Sequence, residues 1–172
     1  MRSIINHIFP LAISFLKLFI LGGKGEFTIV SGATGKKISY RIRKDKDNHL
    51  RIRTAINGRW KYIGTIMCGG LFQRTEDSPL VIRKLGSYPT PKPRCSEEEL
   101  AFTVFHSLWN MHILRGRNVD EMSPAGVSFM YNGKCAYCGK KLKSSTEARA
   151  RGIGLGCMKL IVASRANEVN LF

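Results

Sequence analysis

The sequence predicts an α+β protein: a short N-terminal helix, an antiparallel β-meander or small barrel, a central helix, and a C-terminal module built on a cysteine knuckle. Three observations carry that prediction. Between Glu26 and Arg74 apolar residues alternate with polar ones at the period of strands. From Ser96 to Gly116 the chain carries the start and stop signals of a helix. From Gly133 it reads Gly-Lys-Cys-Ala-Tyr-Cys-Gly-Lys-Lys-Leu, answered downstream by Gly-Ile-Gly-Leu-Gly-Cys ending at Cys157. The segments fall at 1–86, a proline-rich linker over 87–95, the helix over 96–116, and the C-terminal module over 117–172.

The first element lies in the apolar run from Ile4 to Leu21. Asn6, His7, Pro10 and Lys17 interrupt it, so its unbroken parts are too short to span a bilayer. No small-residue cleavage site follows. Pro10 suits the first turn of a helix and Gly22-Gly23 its end, which gives a short helix packed on the next domain. An interfacial membrane helix is the minor alternative.

In the β region Phe27 and Ile29, then Ile38, Tyr40 and Ile42, then Leu50 and Ile52 mark successive strands. Trp60, Tyr62 and Ile63 to Ile66 continue the apolar set. Ser31 to Gly35, Asp45 to Asn48, Asn57-Gly58 and Gly69-Gly70 supply the turns, and Asn57-Gly58 is the strongest of them. Four or five strands follow. With Ile38, Tyr40 and Ile42 inward, Lys37, Ser39, Arg41 and Arg43 face outward, and the next strand adds Arg51 and Arg53. Like charges opposite one another destabilise a sheet. A compensating anion is therefore expected, and phosphate suits the planar fork of arginine.

Ser87 to Arg94 reads as an extended linker. In the central helix Ser96 and Glu99 form a capping box, three glutamates favour the first turn, and Gly116 closes the far end. Leu100, Val104, Leu108 and Met111 form one apolar row, with Phe105 and Trp109 beside it.

Cys135 and Cys138 stand at the spacing that points two sulfurs at one centre, and Gly139 permits the sharp turn behind them. Cys157, at the start of a helix expected to run to about Asn167, supplies a third thiolate. The helix dipole would favour its ionised form. One Zn²⁺ held by Cys135, Cys138 and Cys157 is the expected cofactor, and it would supply much of the module's folding energy. The fourth ligand is open among His106, His112, Cys95, Cys68, Glu147, water and a partner's side chain. The odd count of five cysteines suits a reducing compartment.

The chain has 172 residues, 28 of them basic and 12 acidic, for a net charge of +16 and a pI near 10.1. Such a field attracts polyanions, nucleic acid first and anionic membrane second. Lys140, Lys141, Lys143, Arg149 and Arg151 crowd the cysteine module, joined by Lys134, Lys159 and Arg165. The expected contacts to nucleic acid are therefore Lys37, Arg41, Arg43, Arg51 and Arg53 on the sheet and Lys140, Lys141, Lys143, Arg149 and Arg151 around the knuckle.

Phe27 to Ser31, Thr34-Gly35-Lys36, Tyr40 to Arg43 and Tyr62 to Ile66, with Cys135-x-x-Cys138-Gly139-Lys140-x-Leu142 and Gly152-Ile153-Gly154-x-x-Cys157, resemble an uncharacterised zinc-finger family of phage and plasmid genomes. The likeness runs from about Leu18 to Cys157. It implies a fold arrangement and a genomic setting rather than an activity; a host-cytoplasmic location belongs to the leading functional expectation. Members often carry a histidine before the knuckle, where Tyr131 and Asn132 stand here, and a proline at the position of Leu155.

The leading expectation is a non-enzymatic, zinc-stabilised nucleic-acid-binding protein that contacts mainly phosphate, with Trp60, Tyr62 and Tyr137 available for base stacking. The alternative is an inhibitor that binds a host or competing protein such as a nuclease or polymerase. A metal-dependent nuclease ranks last. Cys-Ala-Tyr-Cys-Gly suits such enzymes, but His7, His49, His106 and His112 all precede Cys135, and no Asp-His pair follows it. Gly22-Gly23-Lys24-Gly25 lacks the spacing of a phosphate-binding loop.

Overall fold

The computed structural model describes residues 7–67, 70–75, 78–81, 96–116 and 126–164. The expected linker, Cys68 and Cys95 lie outside these residues. The fold is α+β, as expected, and its strands form one open antiparallel sheet rather than a closed barrel.

In chain order the strands are β1 (Phe9–Pro10), β2 (Glu26–Ser31), β3 (Lys37–Lys44), β4 (Leu50–Ile56), β5 (Arg59–Met67), β6 (Gly70–Thr75), β7 (Ser78–Val81) and β8 (Val127–Tyr131). Their order in the sheet is β1-β8-β2-β3-β4-β5-β6-β7. The meander from β2 to β7 is thus longer than the four or five strands expected. Asn57 and Gly58 both take positive φ, 49° and 72°, as a tight hairpin turn requires. Ile63 is an extra residue in β5, because Ile52 pairs with Gly64 while Arg53 pairs with Tyr62. This bulge turns Tyr62 and Thr65 to the same face, where their hydroxyls share a hydrogen bond.

The helices are α1 (Leu16–Leu21), α2 (Glu97–Ser107), α3 (Thr146–Arg151) and α4 (Leu155–Ser164). Pro10 does not open a helix. It sits in β1, opposite Met130 at the sheet edge, where its missing N–H costs nothing. A 3₁₀ turn over Ile13–Phe15 then leads into α1. The α2 N-terminus is capped by Ser96, whose Oγ accepts from the Glu99 amide at 3.2 Å. Beyond Ser107 the helix widens into a π-helical stretch, Leu108–Leu114. There Asn110 Nδ2 donates to His106 Nε2 at 2.9 Å, and both side chains are buried.

One face of the sheet carries Phe27, Tyr40, Ile42, Ile52 and Tyr131 into the core. Tyr40 Oη donates to the Ala101 carbonyl of α2 at 2.8 Å. Helix α1 packs on the sheet: Phe19 meets Phe27 and Tyr131 edge-on, with ring centroids 6.0 and 5.5 Å apart. The same buried cluster continues into Cys135, Ala136, Ile153 and Ile161. The apolar N-terminal segment therefore serves as the layer between the sheet and the cysteine module. Gly22 makes the approach close, since a Cβ there would lie 2.8 Å from the Ala136 carbonyl oxygen.

Candidate metal centre

Strand β8 delivers the chain from the sheet into the knuckle. Asn132 Oδ1 accepts from the Lys134 amide at 3.1 Å, and a bridge between Lys134 and Lys141 closes a short hairpin. Within it the Cys135 amide donates to the Lys140 carbonyl (2.8 Å) and the Gly139 amide to the Cys135 carbonyl (2.9 Å), with Gly139 at φ 77°. This turn fixes the two-residue spacing of Cys135 and Cys138 in space. Ser145 caps α3 at one end, and Gly152, at φ 66°, ends it at the other. From there the Gly152 carbonyl accepts from the Ala136 amide (3.0 Å), and the Gly154 amide donates to Cys135 Sγ (3.4 Å). Helix α4 begins one residue later and brings Cys157 round in its first turn.

The outcome is a group of three sulfurs, Cys135, Cys138 and Cys157, within 4.8 Å of one another. Cys135 is buried and the other two are half-buried. Burial works against ionising Cys135, but the amides of Cys138, Gly154 and Tyr137 point at its sulfur and bring its thiol below the usual range. Cys157 behaves in the opposite way. Burial and the two neighbouring sulfurs push it up to about 12, which overrides the helix-terminus effect expected from sequence. Three clustered thiols cannot all ionise without a cation among them, and a bound metal replaces their protons. The donor set suits a thiophilic metal ion.

Among the described residues the group has three members. His106 is hydrogen-bonded within α2, and Glu147 is exposed on the first turn of α3; neither joins it. Cys68, Cys95 and the His112 side chain lie outside the described residues. Tyr131 and Asn132 take structural roles in place of ligation. Tyr131 Oη donates to the Arg149 carbonyl at 2.5 Å, with burial pushing its hydroxyl up to about 12, and Asn132 makes the turn already described.

The basic residues expected to bind nucleic acid divide into two sets. On the sheet, Arg41 pairs directly with Arg53 and Arg43 with Arg51, as the alternation requires. The compensating anion comes from within the chain. Glu26 Oε1 accepts from Arg41 Nε at 2.8 Å and from Arg43 Nη2 at 2.5 Å, and Asp45 Oδ2 accepts from Arg51 Nε at 3.1 Å. Arg41 also lies over the Trp60 ring, 4.2 Å from its centroid. Phosphate is thus not needed to relieve Arg41, Arg43 and Arg51. Glu26 was legible as a partner only through the register, which sets it opposite Arg41. Asp45 was legible as the first residue of a polar turn, and its Oδ1 accepts from the amides of Asp47 and His49.

Around the knuckle the situation is reversed. Lys134, Lys140, Lys141, Lys143 and Lys159 are exposed, and among the described residues none makes an ion pair. Arg149 is half-buried over the Phe9 ring, 4.5 Å from its centroid, and Arg151 is half-buried with Nε unpartnered. On the sheet Lys37 is exposed and Arg53 half-buried, again without an ion pair among the described residues.

No family model, curated protein or solved structure matches this chain. The centre is therefore read from its own geometry. That geometry predicts a specific weak point at Gly152. Its φ of +66° disfavours any side chain, and a Cβ would lie 2.5 Å from the Phe19 ring and 2.7 Å from Leu11. Gly152→Ala is expected to lower stability by roughly 2–4 kcal/mol through strain and overpacking, or about 10 °C in melting temperature. A thermal melt reading within about 2 °C of wild type would show that α1 and the module are not packed this closely.

Proposed function

We propose that this chain is a zinc-stabilised nucleic-acid-binding protein that grips phosphate, encoded in a phage or plasmid setting and acting in the host cytoplasm. Zinc fits a thiolate-rich site fed by a knuckle, and three thiolates leave one tetrahedral position for a fourth donor. The observation that supports binding is the set of exposed lysines near the cysteine centre of a +16 chain, Lys134, Lys140, Lys141, Lys143 and Lys159, none of which makes an ion pair among the described residues. The metal would hold those cations on a rigid support, so that their field converges rather than averages out. The sheet arginines are secondary contacts, because Glu26 and Asp45 already occupy three of the four.

Fluorescence anisotropy with labelled oligonucleotides tests this. Affinity should fall with salt at a log–log slope of about −5 for some six phosphate contacts on duplex DNA. The combined variant Lys140→Glu, Lys141→Glu, Lys143→Glu should weaken binding at least about tenfold at low salt and flatten the slope by about 2–3. Arg41→Ala with Arg43→Ala should change it far less. Binding insensitive to the lysine changes would move the interface off the knuckle, and no binding at low salt would remove the reading.

A second reading, contact with a host or competing protein, is supported by α4. Leu155, Leu160 and Val162 there are 55, 54 and 50 % exposed, beside Cys157. A partner recovered from nuclease-treated lysate, and lost on Leu160→Asp, would favour it. A nuclease of the histidine–metal type would need a histidine at the metal, and of the four the His112 side chain lies outside the described residues. His7 instead hydrogen-bonds Thr28 at 2.7 Å, His49 lies in the Asp45 turn, and His106 holds Asn110.

A further inference from the structure

The apolar row on α2 does not go where an amphipathic helix usually sends it. Ala101, Phe102, Phe105 and Trp109 enter the core, and of the row itself Leu108 does so. Leu100 and Val104 remain half-buried, and together with Leu108 they line a cavity of about 400 Å³ between α2 and the sheet. Its opposite wall is Ile29 of β2, Ile38 of β3 and Phe129 of β8. Two apolar surfaces thus face each other across a gap instead of closing on one another. A cavity of 150 Å³ lined by such residues already takes up benzene, and about 400 Å³ lies within the range of small-ligand sites.

Polar groups join the lining from both walls, Thr103 and Ser107 on the helix and Ser31, Thr34 and Lys36 on the sheet side. Lys36 and Thr34 stand at its rim on the β2–β3 turn. The Lys36 amide donates to Thr34 Oγ1 at 3.2 Å, and Lys36 makes no ion pair among the described residues. Among the described residues that line the cavity, Lys36 is the one charged group. An apolar slot with one cation at its mouth matches a single-chain carboxylate, tail inward and headgroup on Lys36. The slot sits at the β2–β3 turn end of the sheet, whereas the knuckle packs against Gly22 and Lys24, before β2 begins.

We propose that this cavity binds a medium-chain aliphatic carboxylate, independently of the metal centre and of nucleic acid. The experiment is a titration of the full chain with decanoate and, in parallel, decanol, followed by methyl resonances of Ile, Leu and Val. Expected is saturable binding of decanoate with a Kd on the order of tens of micromolar, with shifts at Ile29, Ile38, Val104 and Leu108. Shortening the chain should weaken it about fourfold per methylene. Val104→Trp should fill the slot and abolish binding, and Ile38→Phe serves the same purpose if the first variant does not fold. Lys36→Glu should weaken decanoate about tenfold or more and leave decanol unchanged. No saturable binding, shifts elsewhere on the chain, or uptake undiminished in the folded slot-filling variant would overturn the site. Equal affinity for decanol and decanoate, with Lys36→Glu silent, would overturn the carboxylate assignment.

Discussion

Replacing Cys135 by serine is expected to abolish stoichiometric metal binding and to lower the melting temperature by about 10 °C or more. Cys135 is 2 % exposed, receives the Gly154 amide, and shares the buried cluster with Ala136, Ile153 and Ile161. It is thus a core residue that also belongs to the three-sulfur group able to hold a metal. A metal on Cys135, Cys138 and Cys157 cross-links the knuckle to α4 across the α3 segment. Closing a loop of comparable length with a covalent cross-link contributes about 3 kcal/mol, and metal coordination adds binding free energy that exists only in the folded state. Because Cys157 is pushed up to about 12 without metal, loading must displace protons, and affinity should fall as pH falls. Native mass spectrometry gives the stoichiometry, and thermal melts with and without chelator give the stability. Wild type carrying one zinc, with chelated wild type melting lower and Cys135→Ser melting at or below the chelated protein, is the expected pattern. A metal-free wild type that melts unchanged in chelator would reduce the three cysteines to ordinary core thiols.

How much of this was legible in the sequence depends on how far apart the deciding residues lie. The cysteine centre could be read because Cys135, Cys138 and Gly139 encode the turn locally, and because a glycine-punctuated approach announces Cys157. The hairpins from β2 to β5 could be read for the same reason. Their alternation is short-range and their turns carry residues that tolerate positive φ, as Asn57-Gly58 does. The pairing of β8 between β1 and β2 could not be read, since nothing in Val127 to Tyr131 specifies a partner about a hundred residues away. Pro10 was misassigned on similar grounds: proline fits both the first turn of a helix and a sheet edge, and only the β8 pairing separates them. The bulge at Ile63 explains why alternation fails from Tyr62 to Ile66, where Ile63 and Ile66 are both buried. The arginine face was read correctly as a face in need of a counter-ion, but the carboxylates of Glu26 and Asp45 were not foreseen as supplying it. Sequence spacing alone does not set Glu26 against Arg41 and Arg43.

Glu26 is the residue on which the second large effect should fall. Its side chain is 12 % exposed and lies between Arg41 and Arg43, with His7 Nε2 at 3.9 Å. Burial tends to raise its carboxyl, but His7 and the two guanidiniums outweigh that and lower it from 4.5 to about 2. A carboxylate with a depressed folded-state value stabilises the fold above its unfolded value. That contribution is lost as pH falls through the folded one. The shift corresponds to about 3 kcal/mol, present in full above pH 5 and gone near pH 2. Glu26→Gln cannot ionise, so it should be less stable than wild type by roughly 2–4 kcal/mol at neutral pH. The gap between the two proteins should narrow from about pH 4.5 downward and close near pH 2. Denaturant melts of both proteins across that range measure it; a gap that is absent at neutral pH, or that keeps its size in acid, contradicts the role given to Glu26. The same variant releases Arg41 and Arg43 opposite Arg53 and Arg51. If the chain binds phosphate, Glu26→Gln should therefore bind oligonucleotide more tightly at low salt and steepen the salt slope by as much as about 2. Loss of stability together with gain of affinity separates an internal counter-ion from a residue that merely packs.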